Sequence, residues 1–177
     1  MDNVIVSQDS FDNTLDPSDI IASNISFLNV LSEEGFEGKF CHEAEISYYL
    51  DYYTDQLKKG GFSLFVYNSG WNDELIALIQ EGLANIQAPQ QLAFFNKQVE
   101  FINNYDEVKL ARFLEGDYYG KNPTREAFDN NDFNKLPEDL TLLNANWLRS
   151  LTNLKVLTIE QMFEAIEQLL GRAISRE

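Results

Sequence analysis

Apolar residues recur at intervals of three and four along nearly the whole chain, and that period restricts the fold more than any other property of the sequence. Ile21, Ile25, Leu28 and Leu31 form one such row, and Ile46, Tyr49, Leu50, Tyr53 and Leu57 a second. Leu75, Ile76, Leu78, Ile79 and Leu83 follow, then Leu92, Phe95, Val99 and Ile102. Two more rows close the chain, one through Leu140, Leu143, Trp147 and Leu148, the other through Ile159, Phe163, Ile166, Leu169 and Leu170. A repeat near 3.6 residues puts such positions on one face of a helix. Residues 62–67, rich in Phe, Leu, Val and Tyr, have the composition of a strand. With no second strand to pair with them, a short helix is expected there too. The predicted fold class is all-α.

Local punctuation agrees with this reading. Asp16-Pro17 suits a helix start, and the first helix is expected to run to about Ser32 before a turn at Gly35 and Gly38. A second helix is expected from His42 to Lys59, with Lys58 and Lys59 at the negative end of its dipole and Gly60-Gly61 as its stop. Asn72 reads as a cap, Pro89 and Pro137 as first-turn residues, and Thr158-x-x-Gln161 as a capping box. A shorter helix is expected over 106–114. Residues 118–136 read as polar and turn-rich, with one helix after Thr124. No repeat or Pro/Gly linker divides the chain. The expectation is a flexible acidic segment over 1–15 and one compact multi-helix domain over 16–177.

Charge narrows the function. The 177 residues include 29 acidic and 13 basic ones, a formal net charge of −16. At 44% hydrophobic and 13% aromatic content, the chain can still bury a core. So negative a protein repels nucleic acid and anionic membranes, and a basic partner is favoured. A single cysteine, Cys41, cannot form an intramolecular disulfide. The first residues lack the basic stretch of a secretory signal, and no apolar run approaches the roughly 20 residues of a spanning helix. A cytoplasmic location is expected.

The motifs of catalysis are weak. The one histidine, His42, follows Cys41 directly, and adjacent helical residues point about 100° apart, a poor geometry for a nucleophile and its base. Cys41, His42, Glu43 and Glu45 offer too few soft ligands for zinc. Residues 129–134 glance at a calcium loop but place Phe133 at a ligand position, Asn134 at the turn glycine and Leu140 at the closing carboxylate. Gly60-Gly61 lacks the following Gly-Lys-Ser/Thr of a phosphate loop. The chain is expected to be a binding protein without catalytic residues, cofactor or metal.

Carboxylates are therefore the candidates. Eight acidic residues precede Lys39 with no Lys or Arg among them. On helices, carboxylates three or four apart have Cβ atoms about 5–6 Å apart, a spacing shared by Asp51 with Asp55 and by Glu160, Glu164 and Glu167. Such like-charge pairs cost a few tenths of a kcal/mol each unless a cation lies one turn away. A row of them can offer a basic groove what DNA phosphates would offer. The candidate partner-binding residues are Asp12, Asp16, Asp19, Glu33, Glu34, Glu37, Asp51, Asp55, Glu160, Glu164 and Glu167.

The run Glu45-Ile46-Ser47-Tyr48-Tyr49-Leu50-Asp51-Tyr52-Tyr53, leading into Gly60-Gly61-Phe62-x-x-Phe65-x-Tyr67-Asn68-Ser69, resembles the signature of the small acidic bacterial DNA-mimic proteins and their relatives. The likeness is clearest over residues 43–104. It implies a helical homodimer that binds a dimeric helix-turn-helix repressor in place of operator DNA and relieves repression. A dimer would hold two carboxylate arrays at a fixed separation, to match recognition helices about 34 Å apart. The signature residues themselves read as structural: Gly60 and Gly61 permit a tight turn, and Phe62 and Phe65 fill the core. The alternative is an immunity or antitoxin-like inhibitor of a basic toxin or nuclease, which would need the same acidic surface.

Overall fold

A computed structural model describes residues 1–175; the last two residues of the expected domain lie outside them. The described residues form nine α-helices, one 3₁₀ turn and a two-stranded parallel sheet. They group into two compact units, one made of residues 1–48 with the chain from Thr141 onward, the other of residues 49–140.

The first unit is built on the sheet, which departs from the all-α expectation. Strand β1 (Val4–Ser7) pairs with β2 (Leu154–Leu157), Val4 opposite Leu154 and Ser7 opposite Leu157. The N-terminal residues, expected to be flexible, are thus tied down. Successive strand residues face opposite ways, so Val4 and Val6 enter a cluster with Ile20, Ile21, Leu28 and Leu148. Ile5 enters another with Phe27, Leu31, Met162 and Ile166. Burial on both faces is what a parallel pair requires.

Helices α1 (Gln8–Asp12), α2 (Ser18–Glu33) and α9 (Ile159–Leu170) belong to this unit, as do the first turns of α3 (His42–Ser69) and nearly all of α8 (Leu140–Ser150). The expected capping box at Thr158 and Gln161 is present, and α9 ends on Gly171 in the left-handed region. Two buried amides fasten the start of α3: Asn24 Nδ2 donates to the Ala44 carbonyl at 2.9 Å, and Asn144 Nδ2 to that of Ser47 at 3.0 Å.

The second unit holds the rest of α3 with α4 (Asp73–Asn85), α5 (Pro89–Asn103), α6 (Glu107–Glu115), α7 (Pro123–Phe128) and the 3₁₀ turn (Asp132–Lys135). Asn72 and Asp106 cap α4 and α6, and Pro89 opens α5. Its core is aromatic. Tyr53, Phe62, Phe65 and Phe95 are fully buried and pack mostly edge to face, with ring centroids 5.0–6.5 Å apart. Such pairs add about 0.5–1.5 kcal/mol each beyond their area.

Gly60-Gly61 is the helix stop expected from the sequence: both glycines are non-helical and divide α3 into two helical stretches, and residues 62–67 are helical, as their lack of a partner strand requires. Gly61 has φ 75° and ψ −170°, a conformation essentially confined to glycine. A Cβ there would lie 3.1 Å from the Asn131 side-chain oxygen Oδ1. Just past the break, the buried Ser63 hydroxyl donates to Asp129 and shares a 2.9 Å hydrogen bond with the Tyr118 hydroxyl. The glycines bend the helix so that a distant loop can dock on it.

Candidate functional site

Nine of the eleven candidate carboxylates fall in the first unit, on α1, α2, α9 and the loops beside them. At the N-terminal end of α2, Asp16 accepts from the Ser18 backbone N–H at 2.9 Å and the Ser18 hydroxyl at 2.7 Å. Those bonds favour its ionised form and hold its carboxyl below the usual value. Asp19 accepts from Asn13 Nδ2 at 2.6 Å, and Asp12 from Gln8 Nε2 at 2.7 Å. All four bonds come from neutral donors, so the negative charge is ordered without being neutralised.

At the other end of α2, about 24 Å away for a 16-residue helix, Glu33 and Glu37 are exposed. Glu34 differs. Arg172, just past α9, forms a 2.8 Å ion pair with its carboxylate and a 2.8 Å bond to its carbonyl. This cation, the next basic residue after the acidic row of α9, serves the end of α2. On α9, Glu160 and Glu164 are exposed, and Glu167 accepts from the Ile174 backbone N–H at 3.3 Å.

Helices α2 and α9 pack together in the first unit. Between them runs a shallow groove of about 110 Å³ lined by Phe27 and Val30 from α2 and Ile159, Met162, Phe163 and Ile166 from α9. Ile159 is 56% exposed. Helical spacing sets Asp19 and Glu33 on the same stripe of α2 as Ser26 and Val30, and Glu160, Glu164 and Glu167 on one flank of α9. An apolar floor is thus bordered by carboxylates from two helices.

Asp51 and Asp55 belong to the other unit and are differently placed. Asp51 is half-buried, and desolvation, with repulsion from Asp55 second, raises its pKa; Lys58 and Lys59 offset this in part. Asp55 pairs with Lys59 at 2.7 Å. One turn of helix thus carries a partly desolvated acid and a paired one.

Other polar groups have structural work that sequence reading missed. The Cys41 thiol donates to Glu43 Oε2 at 3.0 Å, and Asn153 Nδ2 donates to the same oxygen at 3.2 Å. The thiol hydrogen bond holds Glu43 below the ordinary carboxylate value, while burial pushes the Cys41 thiol up. A buried thiol with a raised pKa is unreactive, and Glu43 is the residue it touches. Glu138 accepts from the backbone N–H groups of Gln90 and Gln91 at 2.9 and 2.7 Å, capping α5 from 47 residues away. Among the described residues, no group of three or more His, Cys, Asp and Glu is placed to hold a metal. No described helix is long and apolar enough to cross a membrane.

Comparison with known proteins gives one match. The model of a family described as DMP19-like protein matches residues 38–151. No curated protein and no solved structure matches the chain. The matched residues contain the whole second unit and the Gly60-Gly61 break, and of the candidate carboxylates only Asp51 and Asp55. Because the match spans well over half the sequence, the chain belongs to the DMP19-like family.

Proposed function

We propose that this chain is a DNA mimic: its surface carboxylates imitate DNA phosphates and occupy the DNA-binding site of a dimeric helix-turn-helix repressor, relieving repression. Membership of the DMP19-like family supports mimicry as the general role. The observation that carries the reading is the pair of acidic stripes on α2 and α9, which border an apolar groove. Glu160, Glu164 and Glu167 give one charge per roughly 5 Å of helix axis, against one per about 3.4 Å along a strand of B-DNA. The density is lower but of the same order. The groove floor suits the small apolar contacts that recognition helices make with thymine methyls.

In this proposal the protein works in the cytoplasm as a homodimer and by binding rather than catalysis. It needs no cofactor and does not bind nucleic acid itself. The test is competition. The full chain is immobilised in host lysate, bound proteins are eluted with a salt gradient, and each is assayed for loss of operator binding as this chain is added. A helix-turn-helix repressor displaced from its DNA supports the proposal. Recovery of a toxin or nuclease whose catalysis is blocked would replace it with an acidic inhibitor. Changing Glu160, Glu164 and Glu167 together to Gln should weaken repressor binding and flatten its salt dependence. If both stay unchanged in a folded variant, α9 is not the mimicking helix.

A further inference from the structure

We propose that a cleft between α6 and the start of α7 binds a phosphate-bearing small molecule. The cleft has a volume of about 360 Å³ and is lined by Lys109 and Arg112 from α6, Lys121 from the following loop, and Phe113 and Pro123. That size falls within the range of small-molecule sites. Lys109 and Arg112 are three residues apart and share a helix face. The Phe113 ring is fixed from behind by Tyr67 and Phe128, with centroids 5.6 and 5.5 Å away. Three cations thus converge over a rigid, partly apolar floor.

Their clustering around one cleft is the informative point. Carboxylates outnumber basic groups by 29 to 13, and some cations are held by an acidic partner. Lys59, Lys135 and Arg172 each have one. Among the described residues, the side chains of Lys109, Arg112 and Lys121 have none. This holds even though Glu107 and Glu115 lie on the same helix and line, with Arg112, the groove next to the cleft.

Three like charges around one concavity repel one another, and a multivalent anion relieves that repulsion. The planar fork of Arg112 matches two phosphate oxygens, and the lysines add point charges. The backbone N–H groups of Thr124 and Arg125 are already taken by Asn122 Oδ1 at 3.1 Å each, so the side-chain cations must supply the binding. Glu107 and Glu115 oppose an anion from the neighbouring groove, whereas carboxylates farther off do so only weakly, because exposed charges are screened over about 8 Å at physiological ionic strength. The site is independent of the mimicry proposal: it lies in the second unit, within the family-matched residues.

The test is calorimetric titration of the full chain with inorganic pyrophosphate, beside citrate and sodium chloride at matched ionic strength. Saturable binding of one pyrophosphate per chain is expected, roughly tenfold or more weaker in the triple variant Lys109→Gln, Arg112→Gln, Lys121→Gln. These residues are exposed, so circular dichroism should show an unchanged fold. A single Arg112→Lys variant keeps the charge and loses the fork, and should bind with intermediate affinity. The idea is overturned if pyrophosphate gives no saturable heat beyond the chloride control, or binds the folded triple variant equally well. Citrate binding as tightly as pyrophosphate would overturn the phosphate assignment.

Discussion

The two units differ in where their named carboxylates find partners. In the second, several acids are structural: Asp106 caps α6, Glu138 caps α5 from afar, Asp129 receives the Ser63 hydroxyl, and Asp55 and Asp132 pair with lysines. In the first, Glu33, Glu37, Glu160 and Glu164 stand exposed, and Glu34 pairs with Arg172. Their cores differ in parallel. The second is an aromatic cluster, the first an aliphatic one organised by two short strands. Net charge alone therefore says little about function. What matters is whether a carboxylate already has a donor that the fold needs.

The sharpest break between the units should come from their cores. Phe65→Ala removes a fully buried ring that contacts Tyr53, Phe62 and Phe95, and should cost about 3–5 kcal/mol. Urea unfolding monitored by near-ultraviolet circular dichroism, which reads the aromatic cluster directly, measures it. A loss under 1 kcal/mol would mean the cluster is loosely packed. Gly61→Ala should come next, at about 1–3 kcal/mol, because it forces an L-residue into a conformation essentially reserved for glycine. The new Cβ also presses on Asn131, so the same titration of the Asn131→Ala background should show part of the loss already taken.

The carboxylates give the smaller and more telling contrast. Glu138→Ala leaves two N–H groups at the start of α5 without their acceptor, and should cost about 1 kcal/mol, as loss of a helix cap does. Glu164→Gln in the first unit should cost less than about 0.5 kcal/mol, in keeping with exposed substitutions. Removing one of three like charges on α9 favours a slight gain. Thermal melts of the two variants side by side decide it. Equal losses would erase the distinction between structural and available acids.

Most helices were legible because their evidence is local. The apolar rows, the cap at Asn72 and the Thr158–Gln161 box all lie within a few residues of what they control. The strands were not. Val4-Ile5-Val6 is a β-branched run, yet its partner lies 150 residues on, and neither four-residue segment carries a sign of the other. The same distance hides Glu138 under α5 and Arg172 beside Glu34. For the candidate site, sequence spacing could find the acidic stripes but could not rank their members. Asp51 and Asp55 match Glu160 and Glu164 in spacing, and only the fold separates a half-buried, partly paired couple from an exposed one.

That separation carries its own pH signature. Burial first, and Asp55 second, raise the Asp51 pKa above its ordinary 3.8, so the folded protein takes up the proton more readily than the unfolded chain. Above the raised pKa the charged form weighs against folding. As pH falls through that value the group is protonated in the folded state first, and below 3.8 the difference between states is complete in favour of folding. Asp51→Asn should therefore raise the melting temperature slightly at pH 7 and lose that advantage at pH 3.5. Asp16→Asn should do the reverse: its carboxyl is held below the ordinary value by Ser18, so its contribution is present at pH 7 and fades only at lower pH. Identical pH profiles for the two variants would mean that Asp51 is solvated like the acids of the first unit. Asp51 would then rejoin them as a charge available to a partner.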